Sequence, residues 1–529
     1  MRNRAPALAG AAVLALALLP AGAAARTLRY ASQLDPQTVD PHAANLLATS
    51  RLTQQIYDPL VFRDAQWKVI PWLAVSWTQP SPTVWRFKLR EGVRFHDGTP
   101  FTADDVVFSL ERALLPTSQM RTSVQGVESA RKVDDSTVEL ILKEPNPALL
   151  QHLTQFRIMS RAWAVKNRAE KPQDFKNKED AFSSRNANGT GPYILREWSP
   201  DVRVRLEQNK AWWGHAAKVF EGNVDEVLML PINSSATRLA ALLSGEVDLV
   251  IDPPTQDVAR LRASPQLKVV EGAEMRVQYL AFDLSRDELL HGSEKAKNPF
   301  KDLRVRQAVA HAIDADAIRV KVMRGMSKPV GTLITDLVAG YAADADKRLP
   351  YDRERAKKLM AEAGYAAGFD VTLDCGNNQP AADICQAVAS MLSQVGIRTR
   401  PNIIVQSNFF PKLEKFDTSF YLLSWGGGVT SDALYTLNAL LHSVGPKGEG
   451  DFNLGRWSNA RMDQLIDTVK VEMDPARRNA GIRQALLLAN EEMPTVNIHQ
   501  QLVPWVMRKG VHAHFSPVNT VYFYRVRID

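Results

Sequence analysis

Cysteine is nearly absent from this 529-residue chain, which carries only Cys375 and Cys385. That excludes a disulfide-dense small scaffold and a Cys-rich zinc module, because a closed zinc site needs four ligands. Long apolar runs are missing after the first 25 residues. No later segment approaches the ~20 residues that span a bilayer as a helix. Runs of five or more like charges are missing too. A formal charge of +7 and a pI near 9.2 would otherwise suggest a polyanionic partner. Here basic and acidic residues are interleaved, the pattern of a mixed solvated surface, and no nucleic-acid partner is expected.

The residue sets that mark familiar catalysts are missing as well. There is no Gly-x-Ser-x-Gly elbow, no Ser-x-x-Lys set and no His-Glu-x-x-His. The ten histidines are scattered, and only His512 and His514 stand close together. On a strand they share one face, where a solvated edge is favoured over a metal. No catalytic residue, cofactor or metal is therefore expected.

What is present begins with a processing segment. Arg2 and Arg4 form a charged start, Ala7 to Leu19 an Ala/Leu-rich stretch, and Ala23-Ala24-Ala25 a small-residue cleavage site. Residues 1–25 are expected to be a secretory leader, whose loss takes the charge from +7 to +5. No cysteine lies near the cleavage site, so a lipid anchor is not expected, and a periplasmic protein is. The remaining chain has ordinary globular composition, 45% hydrophobic and 23% charged, and a length that suggests two to four domains. In an oxidising compartment Cys375 and Cys385 are expected to pair, stapling a strand end to the first turn of the next helix.

One stretch is specified more tightly than any other: WRFKLREGVRFHDGTPFTADDVVFSLERAL, residues 85–114. Trp85, Phe87 and Leu89 alternate with charged residues at the period of a strand. His96-Asp97-Gly98 is turn chemistry. Thr102 is placed as a helix N-cap with Asp105 as its capping-box acid, and Phe101 and Val106 stand at staple positions.

This corner resembles a signature of the extracellular solute-binding proteins of peptide-type ABC transporters, the oligopeptide-, dipeptide- and nickel-binding group. Their pattern is close to F-x-D-G-x-P-F/L-T-A-x-D-V-x-F-S. Phe95, Asp97, Gly98, Pro100 to Ala103, Asp105, Val106, Phe108 and Ser109 fill it in register. Later segments also resemble family landmarks: Gly189-Thr190-Gly191-Pro192-Tyr193, Asn209-Lys210-x-Trp212-Trp213-Gly214, and the run from Asn298 to Asp314. The first of these lacks the Gly-Lys-Ser/Thr ending of a phosphate-cradling loop and is expected to be a tight turn. Trp212 and Trp213 are expected to pack rather than to stack on sugars.

The elements follow in strand–helix–strand order. Ala43 to Ile56 has helical composition, and Val224 to Leu230 with Val247 to Val250 flank a helix ending at Gly245. Phe369 to Asp374, a helix with Ile384, Val388 and Leu392 on one face, and Ile397 to Val405 form a βαβ unit. Thr495 to Val506 and Val521 to Val526 are expected as closing strands. The element order makes the expected fold class α/β, and the resemblance implies the two-lobed periplasmic binding protein fold with an additional inserted domain and a ligand cleft between the lobes. Lobe I is expected from 26–70, 185–279 and 500–529, the inserted domain from 71–184, and lobe II from 280–499.

The resemblance implies a monomeric receptor that captures a peptide-sized polar solute by lobe closure and passes it to an inner-membrane ABC permease. It also implies that an aspartate just after a Trp-containing strand anchors a peptide's amino terminus. Here the matching segment runs Trp425-Gly426-Gly427-Gly428, with glycine where that aspartate stands. Non-peptide ligands (glutathione-like, opine, glycan or metal chelate) therefore stay open, as do a secreted hydrolase and a periplasmic chaperone at lower weight. Trp425, Asp432, Asn45, Thr49 and Tyr279 are the expected ligand-contact residues. Asp432 has helix capping as its alternative role and Trp425 core packing.

Overall fold

The computed structural model describes residues 25–378, 380–427, 430–446 and 448–529. The leader expected at 1–25, except its last residue, and Gly428 lie outside the described residues.

Two long antiparallel strands run through the centre, Leu267–Phe282 and Thr495–Arg508. They are the middle of a single mixed sheet. Across it the order is Ile397–Ile404, Phe369–Gly376, Phe420–Gly426, Leu267–Phe282, Thr495–Arg508, Leu249–Ile251, Thr27–Ser32, Glu226–Pro231, Arg203–Gln208 and Tyr193–Ser199. The short strand Ser327–Pro329 also pairs with Thr495–Arg508. The long strands carry the sheet from one lobe into the other. The last residues of Thr495–Arg508 adjoin Leu249–Ile251 by way of Trp505 and Val506, and the second half of Leu267–Phe282 adjoins Phe420–Gly426. Between the halves the register slips, from Ala273 opposite Leu502 to Val277 opposite Gln500. A bulge of this kind bends the strand and interrupts the ladder, which makes it the natural hinge.

Parallel pairing of Thr27–Ser32 with both Glu226–Pro231 and Leu249–Ile251 requires crossovers, supplied in part by helix Ser235–Ser244. Ser234 caps that helix through Thr237 N, and Gly245 ends it at positive φ. In the second lobe Phe369–Gly376 and Ile397–Ile404 pair in parallel around helix Ala381–Ser393. Cys375 and Cys385, both fully buried, are joined there by a disulfide.

Residues 71–184 carry their own four-stranded antiparallel sheet, Ala74–Ser81, Val84–Leu89, Thr137–Leu142 and Val127–Asp134 in that order. Helix Ala103–Leu114 is capped as its sequence demands, with Thr102 N donating to Asp105 Oδ2 at 2.9 Å. This section does not close on a core of its own. Phe87, Val106 and Leu140 belong to one apolar cluster with Leu28, Val227 and Trp505 of the first lobe.

Two expected elements differ. The helix anticipated from Ala43 begins at Leu47, because Asp40 and His42 are held instead by buried Arg112. Val521 to Val526 is not a strand: Phe523–Arg525 forms a 3₁₀ turn, with Phe523 N tied to Gln55 Oε1.

Candidate ligand cleft

A cleft of about 350 Å³ opens beside the hinge bulge, at the low end of the 300–1,000 Å³ that small-molecule sites occupy. Five parts of the chain wall it. Helix Leu47–Ile56 and the chain just ahead of it contribute Asn45, Leu47, Ser50 and Gln54. The inserted section contributes Met120, Thr122, Ser123, His152 and Gln155. Glu274, Met275 and Arg276 come from the bulge itself, and Gly426 closes the side of the second lobe. Pro517, Val518 and Thr520 complete it from the carboxyl-terminal segment.

These walls are braced from behind. Gly189 and Gly191 lie so close to helix Leu47–Ile56 that a Cβ on either would fall 2.0 and 2.6 Å from the Ile56 carbonyl oxygen. Gly191 N donates to that oxygen at 2.8 Å. Glycine is required there by close backbone approach, and the expected tight turn is the dock that fixes the helix. Behind the opposite wall, Asn519 accepts from Trp505 Nε1 at 2.8 Å and donates to Asp252 Oδ1 at 2.8 Å, and its carbonyl accepts from Arg51 Nε at 2.9 Å. That network holds Pro517 to Thr520 in place. Trp212 and Trp213 lie elsewhere, donating with Trp72 and Thr190 to the buried Asp58 carboxylate.

Electrostatically the cleft is sparse. Among its described lining residues, Glu274 and Arg276 are the charged ones. Burial pushes the Glu274 carboxyl up, and Arg276 opposes that shift. The two meet at 3.5 Å through Arg276 Nε, while Arg276 Nη1 reaches Ser424 Oγ at 3.3 Å. His152 is neutral at physiological pH. Its burial, only partly offset by the Asp432 carboxylate, takes it down to about 4. Its Nδ1 has no partner among the described residues.

The expected contact residues divide sharply. Asn45 lines the cleft. Thr49 is buried, its Oγ1 accepting from Gln37 N at 3.2 Å. Trp425 is turned away: it stacks on Tyr435 with ring centroids 5.1 Å apart and donates to Thr436 Oγ1 at 3.0 Å. Strand alternation explains this, since Leu423 and Trp425 face one apolar cluster whereas Gly426 faces the cleft. Tyr279 lies in the same cluster, fully buried. Asp432 caps helix Ala433–Thr436 through Leu434 N. Both its oxygens are also bound by Arg478, at 2.7 and 3.0 Å, so its charge is committed inside the second lobe. His512 pairs with Asp529 at 3.0 Å on the surface, and no group of three or more metal-ligating side chains exists among the described residues.

Glu274, Arg276 and His152 were not anticipated. Period-two alternation through Met275-Arg276-Val277 does set Arg276 opposite Val277, which is fully buried. Nothing local shows that Glu274, three residues before that buried position, lies on a bulge at a lobe boundary.

The lobes also touch outside the cleft. Hairpin Val61–Arg63/Val69–Pro71 of the first lobe sends Trp67 against the apolar cluster of the second. Trp67 Nε1 donates to Ser431 Oγ at 3.0 Å, and Arg63 Nη2 to the Thr430 carbonyl at 3.0 Å.

Two lobes, crossing strands with a hinge bulge and a polar cleft beside it define a binding protein that closes on a solute. The chain belongs to the bacterial extracellular solute-binding proteins, family 5, whose model matches residues 68–448. It is 28% identical to "Di/tripeptide-binding protein 2" of Pseudomonas aeruginosa, covering 95% of each chain. It is 26% identical to "Heme-binding protein A" of Haemophilus influenzae, over 90% of this chain and 87% of that one. Among solved structures, the ABC transporter substrate-binding protein CtaP of Listeria monocytogenes superposes with a TM-score of 0.82 at 21% identity, over 95% of this chain and 99% of that one. Family 5 consists of substrate-binding transport proteins. Among the described residues no helix is long and apolar enough to cross a membrane.

Proposed function

We propose that the protein is the exported, periplasmic binding component of an ABC importer. It captures a peptide-sized polar solute in the cleft at the hinge bulge and delivers it, by closing and reopening, to an inner-membrane permease. The observation that carries this is the composition of the cleft. Its walls come from both lobes, the inserted section and the crossing strands, so a solute bound there touches every part that moves. Among its polar lining residues, neutral amides and hydroxyls predominate (Asn45, Gln54, Gln155, Ser50, Thr122, Thr520), which suits a hydrogen-bonding solute bound without covalent chemistry.

Native mass spectrometry of protein isolated from periplasm, before and after unfolding and refolding, tests the proposal. A discrete mass that is released on unfolding and recaptured from periplasmic extract is the expected result. Failure to recapture any solute across peptides, opines, glycans and chelates would count against it.

A further inference from the structure

We infer that Glu274 and Arg276 form the ionic anchor of the cleft, and that its solute is a zwitterion whose carboxylate meets Arg276 and whose ammonium meets Glu274. This rests on the cleft being the solute site proposed above.

Three observations converge on this pair. First, among the described lining residues these two carry the charge, so any ionic group on a solute has them to meet. Second, they are only loosely satisfied by each other. The contact is single, through Nε and Oε2 at 3.5 Å, rather than the bidentate fork that saturates an arginine–carboxylate pair. Nη1 is spent on Ser424, which leaves Nη2 and Glu274 Oε1 uncommitted among the described residues. A guanidinium has five donors in a planar fork, well matched to a ligand carboxylate. A mostly buried carboxylate with a free oxygen is matched to an ammonium.

Third, the pair sits where binding can act on closure. Both residues lie in the irregular segment between Ala273 and Val277. The main chain there is held from both sides. Gln500 Nε2 donates to the Glu274 carbonyl at 3.1 Å, and Gly427 N donates to the Met275 carbonyl at 2.8 Å. Arg276 lies directly opposite Gly426 in the ladder. Both side chains line the cleft and meet at 3.5 Å, so one small molecule with two opposite charges can engage both. The anchor is therefore carried by the crossing strand, not by the chain that follows Gly426 of the second lobe.

The test uses the full mature chain, refolded free of cargo, and isothermal titration with trialanine, N-acetyl-trialanine and trialanine amide. The wild-type protein is expected to bind trialanine and to bind each end-blocked form at least tenfold more weakly. Arg276→Gln is expected to weaken trialanine at least tenfold yet leave trialanine amide unchanged. Glu274→Gln should do the same for trialanine and N-acetyl-trialanine respectively. The end-blocked probes interrogate the wild-type protein directly, so a variant that folds poorly does not decide the matter. Equal binding of free and blocked forms, or no binding of trialanine, overturns the anchor. If a natural cargo is nevertheless recaptured after refolding, the solute-binding role stands without it.

Discussion

Arg112 is fully buried together with Asp40. Its two Nη atoms grip both Asp40 oxygens, at 2.7 and 2.5 Å, and Nε donates to the Ala169 carbonyl at 3.1 Å. The Arg112 guanidinium, outweighing burial, holds the Asp40 carboxyl down to about 2. Removing one partner leaves a desolvated charge behind, so Arg112→Ala should cost roughly 3–5 kcal/mol, read as a fall in the urea midpoint. A loss under ~1 kcal/mol would mean the pair is solvated in solution. Histidine sets a second, milder dependence. Burial takes His42, His96, His152 and His499 down to about 4, below the 6.5 of an unfolded chain. Each binds its proton more readily when unfolded. Their contribution is thus complete above about pH 6.5 and is lost as pH falls toward 4. Asp40 follows the same sign in a lower window, lost from about pH 4 to about 2. His499 is the sharpest test, because neither ring nitrogen has a partner among the described residues and Arg348 repels its charged form. His499→Leu should flatten the decline in melting temperature between pH 6.5 and 4 without lowering stability at pH 7.5. A steeper decline would show that the ring is paired in solution.

Disulfide Cys375–Cys385 joins the end of strand Phe369–Gly376 to helix Ala381–Ser393, closing a loop with a sequence separation of 10. Chain-entropy arguments assign a loop of that length about 3 kcal/mol. The double variant Cys375→Ala, Cys385→Ala should lose about that much in denaturant, with solute affinity unchanged because neither cysteine lines the cleft. Both sulfurs are buried, so a mild reductant should leave the native protein intact until it is partly unfolded, as thiol labelling would report. Elements such as these were legible because their determinants are local. Thr102 with Asp105, and Gly245, mark helix ends within three or four residues of where they act. The contact residues were less legible because their surroundings are tertiary. Phe420–Gly426 is buried on both faces up to its last residues, so an aromatic on it reads the same whether it meets a core or a ligand. Asp432 meets an arginine 46 positions away, a distance at which spacing carries no information.

At the scale of the whole molecule, the contacts between the lobes outside the cleft are unequal. Glu144 and Lys470 pair at 3.1 Å across the gap, but both are about half exposed, and such pairs contribute 0–1 kcal/mol. The Trp67 hairpin is a stronger clasp. Its indole packs on the apolar cluster of the second lobe, donates to Ser431 and lies beneath the Arg63 guanidinium at 5.4 Å. Arg63 in turn binds the Trp67 carbonyl at 3.0 Å and the Thr430 carbonyl, so loosening the indole loosens both crossings together. These contacts exist only when the lobes meet, and they favour closure whether or not a solute is present. Apparent affinity scales with the fraction of molecules able to close. Loss of one hydrogen bond and part of the indole's packing, about 1.4 kcal/mol, corresponds to tenfold. Trp67→Ala should therefore weaken solute binding about tenfold, mainly through faster release in stopped-flow experiments. The unfolding midpoint of the solute-free protein should barely move, since Trp67 is outside both lobe cores when the lobes part. Lys470→Ala should change release less than twofold. Were Trp67→Ala to release solute at the wild-type rate, closure would be held by the solute alone, and the hairpin would be packing against a lobe it does not restrain.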